Sequence, residues 1–249
     1  MKTEPTNFSR SKTPPGQAPL DQNTQHRPSQ PQSTPLGMNS GTYKPRAAIH
    51  WARRIWHVLG VLAIALIYQA VNYPSALILL VFALLIFALP DFLRLHIPRL
   101  NQFVLKWFRP ILRESEVNAL SGVTYLFLGI FIITTLFPRS IVELSLLMLA
   151  FGDPAATIFG VRFGKDKIWR NKSLQGACAA FLVCTLVSYV YFLYNNVMAE
   201  RAILVALITG LIGAVSEVIP LGKWDDNFSF PIYSSTLLWF LFMTFGGFA

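Results

Sequence analysis

The chain has 249 residues, of which 53% are hydrophobic and only 13% charged, and its formal net charge is +9. A soluble domain carries about a quarter charged residues, so an ordinary water-exposed surface is excluded, and a greasy, basic chain suits a membrane protein with cationic loops better than a nucleic-acid binder. Two cysteines, Cys178 and Cys184, exclude a disulfide scaffold and a thiolate zinc cluster.

In chain order, residues 1–45 hold eight of the sixteen prolines, together with runs of Gln, Ser, Thr and Asn. Such a segment buries too little apolar surface to offset its ordering entropy and reads as a disordered tail. No apolar stretch follows the early Lys2, so a secretory signal is not expected. From Ile55 the chain becomes a series of apolar runs. A bilayer-spanning helix needs about 20 apolar residues, and seven candidates lie at 55–71, 74–89, 119–137, 141–161, 174–194, 202–221 and 232–248. Backbone groups in lipid must bond within their own segment, so these are helices. The expected fold class is all-α: a polytopic membrane helix bundle of about seven transmembrane helices (46–249) behind the tail (1–45).

Cationic loops set the expected orientation. Arg46, Arg53 and Arg54 precede the first span. Arg94, Arg99, Lys106, Arg109 and Arg113 lie between the second and third. Arg162, Lys165, Lys167, Arg170 and Lys172 lie between the fourth and fifth. With seven spans these fall on one side, while the other side holds Arg139 and Arg201. The basic side is therefore expected to be cytoplasmic, with the N-terminus, and the C-terminus to lie opposite. Within 100–113, Leu100, Phe103, Trp107 and Ile111 share one helical face and Gln102, Lys106, Arg109 and Arg113 the other. An interfacial helix between Pro98 and Pro110 is expected.

Ionisable residues inside membrane helices are functional candidates. Glu143 lies near the end of the fourth span that carries Arg139, and reads as an interface residue reaching Arg139 or headgroups. Asp153, in FGDPAATIFG, shares a face with Thr157 and Gly160. Glu217 follows Gly210 and Gly213 on another small-residue face, where a neighbouring backbone can approach. Both acids point into the bundle. Beside them lie two polar loops, one offering Lys165, Lys167, Arg170, Asn171, Lys172 and Ser173, the other Asp225, Asp226 and Asn227. Carboxylates beside cations suit a metal–phosphate site: Mg²⁺ takes one or two carboxylates plus substrate phosphates, and Lys or Arg neutralises a transferring phosphoryl group. Asp153, Lys172, Glu217 and Asp226 are the catalytic candidates, with Asp153, Glu217 and Asp226 the metal ligands. Lys165, Lys167, Arg170, Asn171, Lys172, Ser173 and Asn227 are the nucleotide- or phosphate-binding candidates. Arg54, His57, Arg113 and Glu116 are secondary ones. Gly160-Val-Arg-Phe-Gly164-Lys165 is not a P-loop, because three residues separate the glycines where four are required and Asp166 follows the Lys.

In order, the segments RRIWHVLG, LRESEVNALSGVTYLFLGI, LFPRSIVELSLLMLAFGDPAATIFGVRFGK, NKSLQG and SEVIPLGKWDDNFSFPI resemble the CTP-dependent lipid-alcohol kinase family. That family includes dolichol kinase, phytol kinase and the yeast-type diacylglycerol kinase, and is related to phosphatidate cytidylyltransferases. The resemblance covers about residues 53–232. The Arg94-x-x-x-Pro98-x-x-Asn101 pattern and Arg113-Glu-Ser-Glu116 look most like the diacylglycerol kinase branch. Pro154 and Gln175 depart from the family pattern. The resemblance implies CTP as phosphoryl donor, a divalent cation, and a lipid alcohol acceptor (diacylglycerol, with polyprenol or phytol as alternatives) reached from the bilayer. Phosphoryl transfer would have one carboxylate, Asp153 by preference, accept the hydroxyl proton. The residues do not separate base from metal ligand. A cytidylyltransferase would use the same donor and release a CDP-lipid. A transporter would favour midplane charges and inverted repeats, neither of which is present, and a scaffold has no need of the Asp-Lys-Glu-Asp set.

Overall fold

The computed structural model describes residues 51–108, 112–169, 172–219, 221–222, 224 and 225–248. The tail at 1–45, and Arg170 and Asn171 of the basic loop, lie outside the described residues, as do Arg109, Pro110 and Ile111 at the end of the amphipathic stretch. Among the described residues eight α-helices follow one another: α1 (Trp51–Ala70), α2 (Tyr73–His96), α3 (Pro98–Phe108), α4 (Gly122–Leu136), α5 (Arg139–Phe163), α6 (Leu174–Tyr194), α7 (Ala202–Val218) and α8 (Asp226–Phe245). Between α5 and α6, β1 (Lys167–Trp169) and β2 (Lys172–Ser173) pair antiparallel.

All seven expected spans are helices, and the bundle is the expected polytopic one. Among the described residues five segments are long and apolar enough to cross a bilayer: α2, α5, α6, Ala199–Val218 and α8. The two others differ for local reasons. Helix α4 has 15 residues, a rise of about 22 Å against a hydrocarbon core of about 30 Å. Helix α1 spends its first turns on Arg53, Arg54 and His57. Helix α2 runs on past the apolar stretch, through Pro90 to His96, because its two late charges satisfy each other: Arg94 Nε donates to Asp91 Oδ1 at 2.6 Å, and both side chains are buried. Asn72 caps its start, accepting from the Ser75 amide at 3.0 Å.

The packing is that of a membrane protein. Ile78, Phe82, Leu85 and Ile86 of α2 and Leu182 and Leu186 of α6 are exposed, an apolar surface that water would not tolerate and lipid does. Helix α5 lies at the centre, packed against α1, α6 and α8, with Ile141, Val142, Leu144, Met148 and Leu149 fully buried. Helices α6 and α7 make the most intimate pair. A Cβ on Gly213 would lie 2.5 Å from Cys184 Sγ, so the small-residue face read from the sequence is the face on which α6 packs. Cys178 is exposed and Cys184 buried, on different sides of α6.

At one end of the bundle Arg139 caps α1: its guanidinium donates to the final carbonyls of Tyr68, Gln69 and Val71. It also holds Glu143 at 2.9 Å, as read from the sequence. Helix α3 begins at Pro98, as expected, and leaves Phe103 and Trp107 exposed. Its bundle-facing side is a third face, that of Asn101 and Leu105, which the two-face pattern does not contain.

Candidate functional site

The opposite end of the bundle carries a cavity of about 510 Å³. Among the described residues six helices meet there: the start of α1, the first turn of α4, the last turns of α5, the start of α6, the end of α7 and the start of α8, joined by the β1–β2 ribbon and the segment before α4. Asp153, Lys167, Lys172, Ser173, Glu217, Asp226, Asn227, Arg54, His57, Arg113 and Glu116 all line it. Lys165 does not line it; that residue is exposed, and its amide donates to Gln175 Oε1 at 3.2 Å.

Lys172 is the centre of the charge arrangement. The ribbon projects its ammonium to Glu217 Oε1 on α7 and, at 3.0 Å, to Asp226 Oδ2 on α8. Burial pulls the Lys172 pKa down, but Glu217, Asp226 and Asp153 together outweigh it and hold the group above its ordinary value. Lys172 is thus a fixed positive charge in a site walled by carboxylates. Glu217 is nearly fully buried, and its second oxygen, Oε2, has no hydrogen-bond partner among the described residues. A buried carboxylate oxygen left unpaired is costly unless something occupies it.

Asp153 hangs from α5 with its side chain one-fifth exposed, and His57 Nε2 of α1 stands 3.7 Å from its Oδ2. That ring nitrogen is buried and has no hydrogen-bond partner among the described residues. Arg54, one turn earlier on α1, donates to the Pro154 carbonyl at 3.4 Å. Thr157 bonds the Asp153 carbonyl at 3.0 Å, which leaves the Asp153 carboxylate to His57 and the cavity.

The remaining charges brace the walls. Glu116 receives both Arg53 guanidinium nitrogens at 3.1 Å, the Arg113 amide at 2.9 Å and the Gly122 amide at 3.2 Å. With four donors it is a clamp between α1 and the start of α4. Arg113 reaches Asp225 at 2.8 Å. Burial lowers its pKa, but Asp225, Glu116, Asp153 and Asp226 more than restore it. Asp225 also caps α8, accepting from the Asn227 amide at 3.1 Å. Asn227 Nδ2 donates to the Gly122 carbonyl at 3.0 Å, tying α8 to α4. Ser173 caps α6, accepting from the Gly176 amide at 3.2 Å. Gln175, one of the departures from the family pattern, accepts from Lys165 and Asp166 and donates to Asp166 Oδ2 at 2.7 Å, so it braces the basic loop.

Sequence reasoning passed over Arg53 as the partner of Glu116 and Asp225 as the partner of Arg113. It also missed Trp169 and Trp224, both of which line the cavity. For the two aromatics the only signal was their position next to charged site residues.

Among the described residues no group of three or more His, Cys, Asp or Glu side chains is set to hold a metal ion by itself. The donor set nevertheless suits an ion held partly by substrate phosphates, since Mg²⁺ commonly takes only one or two carboxylates from protein. The unpaired Glu217 Oε2 is the oxygen such an ion would find.

Together these features define a class: a polytopic membrane protein whose bundle end holds a deep cavity of opposed carboxylates and cations, suited to phosphate chemistry. No protein-family model matches the chain, and no solved structure matches it. Curated proteins do. Over 206 residues it is 30% identical to CTP-dependent diacylglycerol kinase 1 of Saccharomyces cerevisiae, covering 75% of this chain and 71% of that one. Over 161 residues it is 34% identical to the protein of the same name from Schizosaccharomyces pombe, covering 61% of this chain and 74% of that one. The protein so named in Eremothecium gossypii is 30% identical over 206 residues, 75% of this chain and 65% of that one. The chain belongs to the CTP-dependent diacylglycerol kinase family.

Proposed function

We propose that this protein is an integral membrane lipid kinase that transfers the γ-phosphoryl group of CTP to the free hydroxyl of diacylglycerol, giving phosphatidate and CDP. The observation that carries the reading is the convergence of Asp153, Lys172, Glu217 and Asp226 from α5, the ribbon, α7 and α8 on one cavity at the end of a membrane bundle. Family membership supplies the donor and the acceptor.

In this reading Lys172 and Lys167 face the nucleotide phosphates and offset their charge, with Arg54 on the opposite wall. Asp153, Glu217 and Asp226 would hold a divalent cation, which when bound neutralises charge spread over the phosphoryl oxygens. In this reading one carboxylate, Asp153 by preference, accepts the hydroxyl proton, with His57 beside it to stabilise the carboxylate or take the proton onward. Arg170 and Asn171, from the same basic loop, are proposed as further phosphate contacts. The positive-inside rule assigns the cavity end to the cytoplasm. Helix α8 then leads the C-terminus to the far side.

The test is a purified assay with labelled CTP or ATP against diacylglycerol, a polyprenol and phytol. Phosphatidate and CDP are expected from CTP and diacylglycerol, with turnover stopped by a chelator and restored by Mg²⁺. Pyrophosphate with a CDP-lipid would overturn the reading in favour of a nucleotidyltransferase.

A further inference from the structure

A second cavity, of about 420 Å³, lies between α1 and α6 with α5 as its floor. It is lined by Ala65 and Leu66 of α1, Leu147 and Phe151 of α5, and Leu186 and Val190 of α6. The surface it presents is mostly apolar, with Gln69, Glu143 and Asn195 at its far end. Helices α1 and α6 each pack on α5 but make at most marginal contact with each other, so the cavity is a groove open to the lipid side. At its far end Glu143 is engaged by Arg139 at 2.9 Å and by the Tyr191 hydroxyl at 3.3 Å, which leaves no unpaired charge to repel hydrocarbon.

The groove and the charged cavity share one floor. Glu143, Leu147 and Phe151 of α5 line the groove, and Pro154, Thr157 and Val161 line the charged cavity. Their spacings of four, four, three, three and four place them in a single stripe of the helix. Helix α1 repeats the arrangement, with Arg54 and His57 in the charged cavity and Ala65 and Leu66 in the groove. From Asp153 to Glu143 the floor rises about 15 Å, half the hydrocarbon thickness of a bilayer. An occupant of both compartments must therefore be polar at Asp153 and apolar over the next 15 Å or so. A second protein helix does not fit, because at 10–12 Å across it would displace roughly 1,200–1,700 Å³ over that length.

We propose that the α1–α6 groove seats one acyl chain of the diacylglycerol whose hydroxyl is phosphorylated beside Asp153. The inference rests on the functional reading above and adds how the lipid is held. The chain enters sideways from the bilayer, runs along α5 past Phe151 and Leu147 with its later carbons beside Val190, and aligns the hydroxyl with Asp153 and His57.

Two measurements test this on the full chain. First, wild-type protein in vesicles is photolabelled with a diacylglycerol bearing a diazirine at the terminal carbon of one acyl chain. Adducts on the peptides holding Leu147, Leu186 or Val190, suppressed by excess diacylglycerol but not by phosphatidylcholine, are expected. Adducts confined to the outer face of α2, or equal suppression by phosphatidylcholine, overturn the assignment. Second, Val190→Trp, which fills the groove away from every charged residue of the site, should raise the KM for dioleoylglycerol about tenfold. It should leave the KM for dioctanoylglycerol, whose chains stop short of Val190, unchanged. Equal effects on the two substrates overturn the groove alone. A wild-type enzyme that phosphorylates neither substrate overturns the functional reading, so the two failures are distinguishable.

Discussion

The Lys172 ammonium donates to the carboxylate of Glu217, forty-five positions later in the chain, and so joins the short ribbon before α6 to the end of α7. Glu217 is almost inaccessible, its side chain only 3% exposed. Breaking such a pair from one side leaves an uncompensated buried charge, at a cost of about 3–5 kcal/mol when both partners are fully buried. Lys172 is about one-quarter exposed, so Lys172→Ala should lie at or below the lower end of that range. A lowered unfolding temperature in detergent and loss of turnover are expected. The double variant Lys172→Met/Glu217→Leu should recover much of the stability and none of the activity. If the double variant is active, the pair is a structural strut with no part in the chemistry.

Asp153 is the only carboxylate of the cavity that faces a histidine, with His57 Nε2 at 3.7 Å, among the described residues. Asp153→Asn keeps the side chain's size and removes its charge, so the protein should still insert. Phosphatidate formation should fall by about 10²-fold or more. Near-normal labelled phosphatidate from the variant would show that the acid acts elsewhere.

Arg94 is 1% exposed. It reaches Asp91, Asn101 and the backbone carbonyls of Glu116, Val117 and Ala119. It thus fixes the segment that presents Glu116 to Arg53. Asp91 also accepts from the Ser121 amide and the Thr124 hydroxyl, each at 2.7 Å. Arg94→Lys retains the charge but not the planar fork that meets several acceptors at once, so it should fail to rescue. Faster proteolytic cleavage between α3 and α4 is the expected readout. Wild-type cleavage rates in Arg94→Lys would contradict it.

Two glycines give opposite expectations. A Cβ on Gly176 would sit 2.7 Å from the Ala156 carbonyl oxygen and 3.4 Å from Gly160 Cα, and backbone cannot move aside as a flexible side chain does. Gly176→Ala should push α6 from α5 at the cavity wall and destabilise by about 1–3 kcal/mol. At Gly60 nothing lies within 4 Å, so Gly60→Ala should be neutral or stabilising by about 0.5–1 kcal/mol through helix propensity. Thermal unfolding of the two variants in one detergent compares them directly.

Every described residue lining the charged cavity falls within the compact unit Gly41–Ala249. We therefore expect removal of residues 1–40 to leave CTP-dependent turnover essentially unchanged. A truncated enzyme that inserts normally but is inactive would assign the tail a role in catalysis.

Much of the helical framework was legible because membrane helices are written in local apolarity. The span expected at 174–194 is α6 itself, Leu174–Tyr194, and that at 141–161 lies within α5, Arg139–Phe163. The end of α2 was not legible in this way. Asp91 and Arg94 lower the hydropathy of its last turns, and it is their pairing with each other and with Asn101, Ser121, Thr124 and the carbonyls before α4 that satisfies them in the interior. The acids were legible for the converse reason: a carboxylate in an apolar helix is costly, so Asp153 and Glu217 stood out without any knowledge of their surroundings.

What the sequence alone determined is therefore what depends on near neighbours: a membrane bundle, the helices that build it, small-residue faces on α5 and α7, and a short list of charges gathered by the basic loops. Tertiary structure decided what depends on how each helix is rotated against the next. That rotation pairs Arg53 with Glu116, Arg113 with Asp225 and Lys172 with Glu217 and Asp226, excludes Lys165 from the cavity, and opens a lipid-facing groove beneath Asp153. Hydropathy is a sum over one segment. An ion pair or a groove is a relation between segments, fixed by the close packing of glycine and alanine faces that brings particular side chains within reach.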